Sequence, residues 1–388
     1  ITQNNNNNNN QEDETPTRKG AITFHPFGSL AMETSLSDDS LLEINPLAIP
    51  RGQKLVCEVT GQPARVICHG CRLTFYRSKE EQSLDWQGIH CKICKLVGKL
   101  RGSKGALKSE EERKRAQSED MELNLQLLKI CKNEAHKHLI SGSFSLAVVA
   151  GLQALRYSKA VYGTNSLDVI PAYLLLAEAN MGLNRLEMAN KYLEFGNWAI
   201  LKNPNCTYEL RSQLHRNFGK LYTSQEKYSK ALTEFAKDVY VCSLDHGPEH
   251  VRTAAAYYYM AKNLFKIGKE TAGLGFCTKI MKIWHKALET EKKILENLTE
   301  AQMCEGEEIL TSIFETRKQT YGAESISTAE AAFTLGLIKC EMKRFNEAEL
   351  LLENVLATYK GKFGGDDLRT SKVQAALELV FAVMKASE

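Results

Sequence analysis

The chain has 388 residues, 43% of them apolar and 25% charged, with a formal net charge of +3. These are the proportions of an ordinary globular protein, long enough for two or three domains. So balanced a charge sets up no strong field toward nucleic acid or membrane, and no apolar run approaches the roughly 20 residues of a membrane-spanning helix, so neither partner is expected.

The first stretch, ITQNNNNNNNQEDE, holds seven consecutive Asn and begins without Met. It has neither a basic n-region nor an apolar h-region, so no secretory signal is expected here, and the true start is expected to lie upstream. Residues 1–43 are polar and aperiodic. They cannot bury enough apolar surface to offset chain entropy, so a disordered, Asn-rich head is expected.

A cysteine-rich segment follows, assigned to residues 44–97. Five of the eleven cysteines (Cys57, Cys68, Cys71, Cys91, Cys94) fall within 38 residues, and the other six stand singly. A disulfide framework would be denser and in a short secreted chain. The pattern points to a reducing compartment, a metal site in the cluster and buried thiols elsewhere. Cys68 and Cys71 form a Cys-x2-Cys knuckle, and His90 and Cys94 lie one helical turn apart.

The segment resembles the MYND zinc finger. That family holds two zincs in cross-brace order through Cys-x2-Cys, Cys-x2-Cys, Tyr-Cys-x3-Cys and Trp-x3-His-x3-Cys. The resemblance places Cys57 in the first slot, Cys68 and Cys71 in the third and fourth, and His90 and Cys94 in the last two, with Trp86 ahead of them. Thr60, Arg77 and Glu81 stand where three ligands of the other site would be. One site is therefore expected to survive, Cys68, Cys71, His90 and Cys94 closing a Cys3His tetrahedron around one structural zinc. With no coordination position left for water, zinc catalysis is not expected. At the degenerate site, formed by Cys57, Thr60, Arg77 and Glu81, an Arg77–Glu81 ion pair at i, i+4 is the expected replacement for the metal. Cys91 faces elsewhere on its helix and reads as a bystander.

Residues 95–118 carry eight Lys/Arg against three Glu and read as a basic linker or the start of a helix, with 98–118 assigned to the linker. It is either simply solvated or attracted to an acidic partner such as tubulin tails, and it has no aromatic side chains for base stacking.

From 119 to 388 the chain is helical and repetitive. Pairs of small residues twelve apart recur: Ala135/Ala147, Ala177/Ala189, Gly219/Ala231, Ala261/Gly273 and, later, Gly336/Ala348. The first members of the first four pairs are spaced by 42 residues each time. Two antiparallel helices approach closely only where their facing residues are small, and a single hairpin cannot bury its apolar face, so such units stack. This resembles the tetratricopeptide repeat in the longer-helix form of kinesin light chains, with Gly163, Gly247 and Gly322 just past helix ends. A HEAT-type solenoid has a similar period of about 40–47 residues but does not demand the small pair. The expected fold is an all-α solenoid whose last helix, DDLRTSKVQAALELVFAVMKA, caps it. Residues 286–321 read as the weakest unit. Tyr173, Asn180, Asn217 and Tyr258 are the candidates for a peptide groove.

Motifs of the common enzyme classes are missing: no P-loop, no G-x-G-x-x-G after a strand, no H-E-x-x-H and no G-x-S-x-G. MYND methyltransferases insert a SET domain after the finger, for which the short interval before the repeats leaves no room; CEGEEIL at 304–310 sits within helical sequence. The clamp by which some tetratricopeptide domains hold a chaperone's terminal carboxylate would fall on Lys132, His136, Leu175, Gln213 and Asn217, and only Lys132 suits it. From INPLAIPRG onward the chain resembles axonemal proteins that join a MYND-type finger to tetratricopeptide repeats. That resemblance implies a non-enzymatic scaffold of motile cilia and sperm flagella, in the cytoskeletal compartment, associated with an inner-arm dynein heavy chain and another tetratricopeptide protein. The alternative is a nuclear corepressor adaptor whose finger binds proline-containing peptides.

Overall fold

The computed structural model describes residues 41–44, 55–102, 105, 109–290 and 292–387. The chain divides into two compact units, residues 1–107 and 108–388.

The first unit is small. Strands β1 (Leu41–Glu43), β2 (Val66–Cys68) and β3 (Phe75–Tyr76) form an antiparallel sheet in that order, with Leu42 opposite Ile67 and Ile67 opposite Phe75. Helix α1 (Lys79–Asp85) runs into a π-helical turn (Trp86–His90) and then into α2 (Cys91–Arg101). Tyr76, Ile89, Ile93, Val97, Val59 and Val66 are buried and make the core. Residues 41–43, assigned to the disordered head, are thus a strand: three residues leave no periodicity to detect, and pairing with β2 supplies the order. The rest of that head, 1–40, lies outside the described residues.

The stretch assigned to a basic linker, 98–118, is largely helical. Helix α2 continues to Arg101, whose guanidinium bonds the Glu58 carboxylate at 2.6 Å and the Leu73 carbonyl at 3.2 Å. Helix α3 (Glu110–Ile140) already begins at Glu110. Ser109 and Glu112 close a capping box there, and three Glu in the first turn oppose the helix dipole. Of the two readings of this stretch, the cap at Ser109 marks the start of a helix. Residues 103–104 and 106–108 are not described.

The second unit is a series of antiparallel helix hairpins: α3 with α4 (Phe144–Tyr162), α5 (Ile170–Gly182) with α6 (Leu186–Lys202), α7 (Tyr208–Ser224) with α8 (Tyr228–His246), and α9 (Val251–Lys266) with α10 (Glu270–Thr290). After the short α11 (Lys292–Glu296) come α12 (Glu300–Tyr321), the hairpin α13 (Ile326–Glu341) with α14 (Phe345–Phe363), and α15 (Leu368–Ser387). Every small pair lies buried within its hairpin. A Cβ at Gly219 would collide with the Phe235 ring, and one at Gly336 would come 2.9 Å from Leu352, so the small residues set how closely the paired helices approach.

The same step appears in the backbone. Gly142, Asn184, Glu226 and Gly268 have positive φ (70°, 56°, 59°, 79°), as does Lys343 (60°). After each, the next N–H reaches back to the sixth carbonyl, as in Ser143 to His138 (2.8 Å) and Lys227 to Tyr222 (2.8 Å). Each hairpin therefore turns through a Schellman-type cap. At the helix ends between hairpins, Gly163, Gly247, Gly322 and Gly364 have φ of 83–93°.

Helices α5 and α6 lie in the middle of one core cluster, and α5 is buried on nearly all sides, as its apolar composition requires. A second cluster joins α9, α10, α12 and α13, and a third joins α13, α14 and α15. The small-pair rule lapses between α10 and α13, where α11 and α12 intervene. Instead Gly306 of α12 packs so closely on the Trp284 side chain that an added Cβ would collide with its ring. Helix α15 buries Val373, Leu377 and Val380 against the preceding hairpin and exposes Leu379 and Phe381. Among the described residues, no helix is long and apolar enough to cross a membrane.

Candidate metal centre

Four side chains from three local elements converge in the first unit. Cys68 ends β2. Cys71 follows in a tight knuckle, where Arg72 takes φ of 55° and its N–H bonds the Cys68 carbonyl at 2.9 Å. His90 closes the π-helical turn and Cys94 sits one turn into α2. Their donor atoms all lie within 4.8 Å of one another, and this is the one such group among the described residues.

Two of the spacings match the edges of a single tetrahedral ion's coordination shell, and the rest lie within 4.8 Å. With about 2.3 Å to sulfur and about 2.0–2.1 Å to nitrogen, the edges of a zinc tetrahedron are about 3.8 Å between sulfurs and about 3.6 Å from sulfur to nitrogen. Cys68 Sγ and Cys94 Sγ are 3.9 Å apart, and Cys71 Sγ is 3.6 Å from His90 Nε2. The loop is shaped to the cluster, since a Cβ on Gly70 would come 3.0 Å from Cys94 Sγ. Three thiols this close do not all ionise unaided. Hydrogen bonding from Cys68 drives the Cys71 thiol well below its usual range; the same bond, with burial, drives Cys68 upward, and burial raises Cys94. A divalent cation supplies the charge that lets all three act as thiolates. The residues present fit a structural zinc. Cys91, as expected, is exposed and outside the group.

A layer of further residues surrounds the ligands; of these the sequence pattern singles out Trp86 but not Thr74, Tyr76 or Asp85. Thr74 Oγ1 lies 3.4 Å from Cys71 Sγ, and the Tyr76 hydroxyl donates to Asp85 Oδ2 at 2.6 Å. The rings of Tyr76 and Trp86 flank the His90 imidazole at 6.2 and 5.9 Å. The available signal was Asp85-Trp86 standing just ahead of His90.

The degenerate site is closed differently from the expected ion pair. Glu81 Oε2 accepts from Cys57 Sγ at 2.8 Å and from Thr60 Oγ1 at 3.4 Å, and it reaches the Arg77 backbone N–H at 3.3 Å rather than the guanidinium. Arg77 is exposed and precedes α1, whose N-cap is Ser78, so Arg77 and Glu81 share no helical face. One carboxylate gathers donors from the residues that would have held the metal. Replacing Glu81 by Ala removes the carboxylate that accepts from the buried Cys57 and Thr60 and should cost about 1–3 kcal/mol, read as a fall in the unfolding midpoint of the finger. Arg77→Ala should change it by less than about 0.5 kcal/mol.

The groove candidates are mostly packed inside. Tyr173, Asn180 and Asn217 are buried, and the two amides donate to carbonyls one turn back in their own helices, Leu176 at 2.7 Å and Gln213 at 3.0 Å. Tyr258 is half-buried and its hydroxyl donates to Ser312 at 3.0 Å. Asn180 and Asn217 thus bond within their own helices, whereas the Tyr173 ring packs on Tyr192 and Phe195 of α6 and Tyr258 ties α9 to α12. The acidic run at 304–310 is structural too, since Glu307 binds Lys339 at 2.7 Å and Arg344 at 2.8 Å.

The helical unit is thus a tetratricopeptide-like solenoid, and the unit before it carries a Cys/His group able to hold one metal ion. No protein-family model matches the chain. Solved structures with some likeness include a putative kinesin light chain of Podosopora anserina with nearly identical TPR-like repeats (16% identity, 61% of this chain, 96% of that one, TM-score 0.34). Another is BtubC (BKLC) from P. vanneervenii (14% identity, 65% of this chain, 84% of that one, TM-score 0.29). These likenesses are low, and the fold stands on the hairpin geometry described above.

Proposed function

We propose that the chain is a non-enzymatic docking scaffold of the ciliary or flagellar axoneme, its solenoid engaging inner-arm dynein. The observation that supports a docking role is the constant step of the hairpins, which repeats one helical position along a continuous face. At that step stand His136 on α3, Glu178 on α5 and Lys220 on α7, with Lys220 Nζ 3.1 Å from Glu178 Oε1. Arg216 and Lys220 both lie beside the Tyr259 ring, at 5.6 and 4.9 Å. Such a ladder of charged and aromatic groups suits a helical or extended protein segment.

The axonemal assignment draws on the sequence. PLAIPRGQKLVCEV, LRYSKAVYGTNSLDVIPAYLLLAEANMGLNR, LHRNFGKLY and MKIWHK resemble zinc finger MYND domain-containing protein 12. On this reading the partners are an inner-arm dynein heavy chain and another tetratricopeptide protein, with the basic stretch near residue 100 available to tubulin tails. The metal centre orders the finger and takes no part in a reaction. Salt extraction provides the test: the protein should leave isolated axonemes with dynein heavy chains at high salt. Recovery in nuclei, with retention on proline-containing peptides, would favour the corepressor reading instead.

A further inference from the structure

Asp85 is an expensive residue to keep where it stands. It is fully buried at the end of α1, and an ionised carboxylate loses its hydration there unless its environment replaces it. Glu58, the comparable acid nearby, is matched by Arg101. Asp85 Oδ2 accepts from the Tyr76 hydroxyl at 2.6 Å and lies 3.7 Å from His90 Nδ1, an ion-pair distance slightly longer than a hydrogen bond, while its buried Oδ1 has no hydrogen-bond partner among the described residues. The opposite nitrogen of the same imidazole, Nε2, faces Cys71 Sγ at 3.6 Å within the ligand group. The Tyr76 ring meets the imidazole edge-on, at 86°.

We propose that Asp85, oriented by Tyr76, is the positioning residue of the metal centre. It keeps the His90 proton on Nδ1, so that the Nε2 lone pair is directed at a divalent cation held with Cys68, Cys71 and Cys94. Asp85 lies outside the ligand group and gives the cation no oxygen. Its value comes through the histidine, as carboxylates behind metal-bound imidazoles raise ligand basicity and fix the ring. Tyr76 serves by holding the carboxylate oxygen on the Nδ1 side. The inference rests on the single-metal reading of the four ligands.

The test uses the full chain with zinc as the probe. Affinity is read by competition with a chromophoric chelator, the coordination sphere by cobalt(II) spectra, and the His90 tautomer by ring 15N shifts. Asp85→Leu should weaken zinc about 10–100-fold. Asp85→Asn keeps an oxygen able to accept from Nδ1–H, so it should lose less and preserve the cobalt spectrum. Tyr76→Phe should fall between the wild type and Asp85→Leu, and both Tyr76→Phe and Asp85→Leu should move the His90 ring shifts. If Asp85→Leu does not fold, Tyr76→Phe decides. Wild-type affinity within twofold and unchanged His90 shifts in Asp85→Leu, or in Tyr76→Phe where the Leu variant does not fold, would overturn the proposal, as would a wild-type His90 bound to zinc through Nδ1. A wild-type chain that takes up no zinc would instead overturn the metal reading beneath it.

Discussion

A chelator strong enough to strip zinc should unfold residues 55–101 and leave the helical solenoid folded. The finger has a handful of buried side chains and a three-stranded sheet of two- and three-residue strands, too small a core to stand unaided. Structural zinc contributes roughly 10–16 kcal/mol in comparable peptides, far more than any other single interaction in the unit. Ties such as Arg101 with Glu58, Glu81 with Cys57 and Tyr76 with Asp85 are worth about 1–3 kcal/mol each. Hydrogen exchange should show protection of the π turn and α2 collapsing on chelation, while α5 to α10 keep theirs. Metal analysis should give one zinc per chain. Because three thiols and an imidazole must be deprotonated to bind, affinity should fall as pH is lowered. A finger that stays protected without metal would show that zinc does not order it, and two zincs per chain would show that the Glu81 lobe is misread.

The second large effect lies in the hairpins. Gly219→Ala should destabilise the solenoid by about 1–3 kcal/mol, because the new methyl meets the buried Phe235 ring. Phe235→Ala removes that ring and should cost about 3–5 kcal/mol alone. The two changes share one contact, so the double variant should be less destabilised than the sum of the singles by more than the roughly 0.3–0.5 kcal/mol of independent sites. Denaturant unfolding of the four species measures the coupling. Strict additivity would mean that Gly219 does not set the approach of α7 to α8.

The repeat was legible because its cause is steric and periodic. A helix pair that touches at one level needs two small residues there, and Gly219/Ala231 and Ala177/Ala189 announce it in any composition. The positive-φ turns were half legible: Gly142 and Gly268 invite the conformation, whereas Glu226 and Lys343 adopt it under the pull of the cap. The four members of the Cys/His group able to hold a metal ion could be picked out because thiols and imidazole at knuckle and one-turn spacings have few other uses. The Glu81 hub was not legible, because pairing it with Arg77 presumes a helix that begins two residues later, at Lys79. Tyr173 and Asn180 misled for a related reason. On a helix covered on nearly all sides, a polar or aromatic residue does not mark an open face. Asp85 acquires its meaning only when the sheet brings Tyr76 beside it.

Cross-linking mass spectrometry on intact axonemes bears most directly on the central functional claim. The account predicts that lysines of the solenoid, Lys220 on α7 among them, cross-link to an inner-arm dynein heavy chain and to a second tetratricopeptide protein. Cross-links confined to other complexes, or absence of the protein from axonemes, would contradict it.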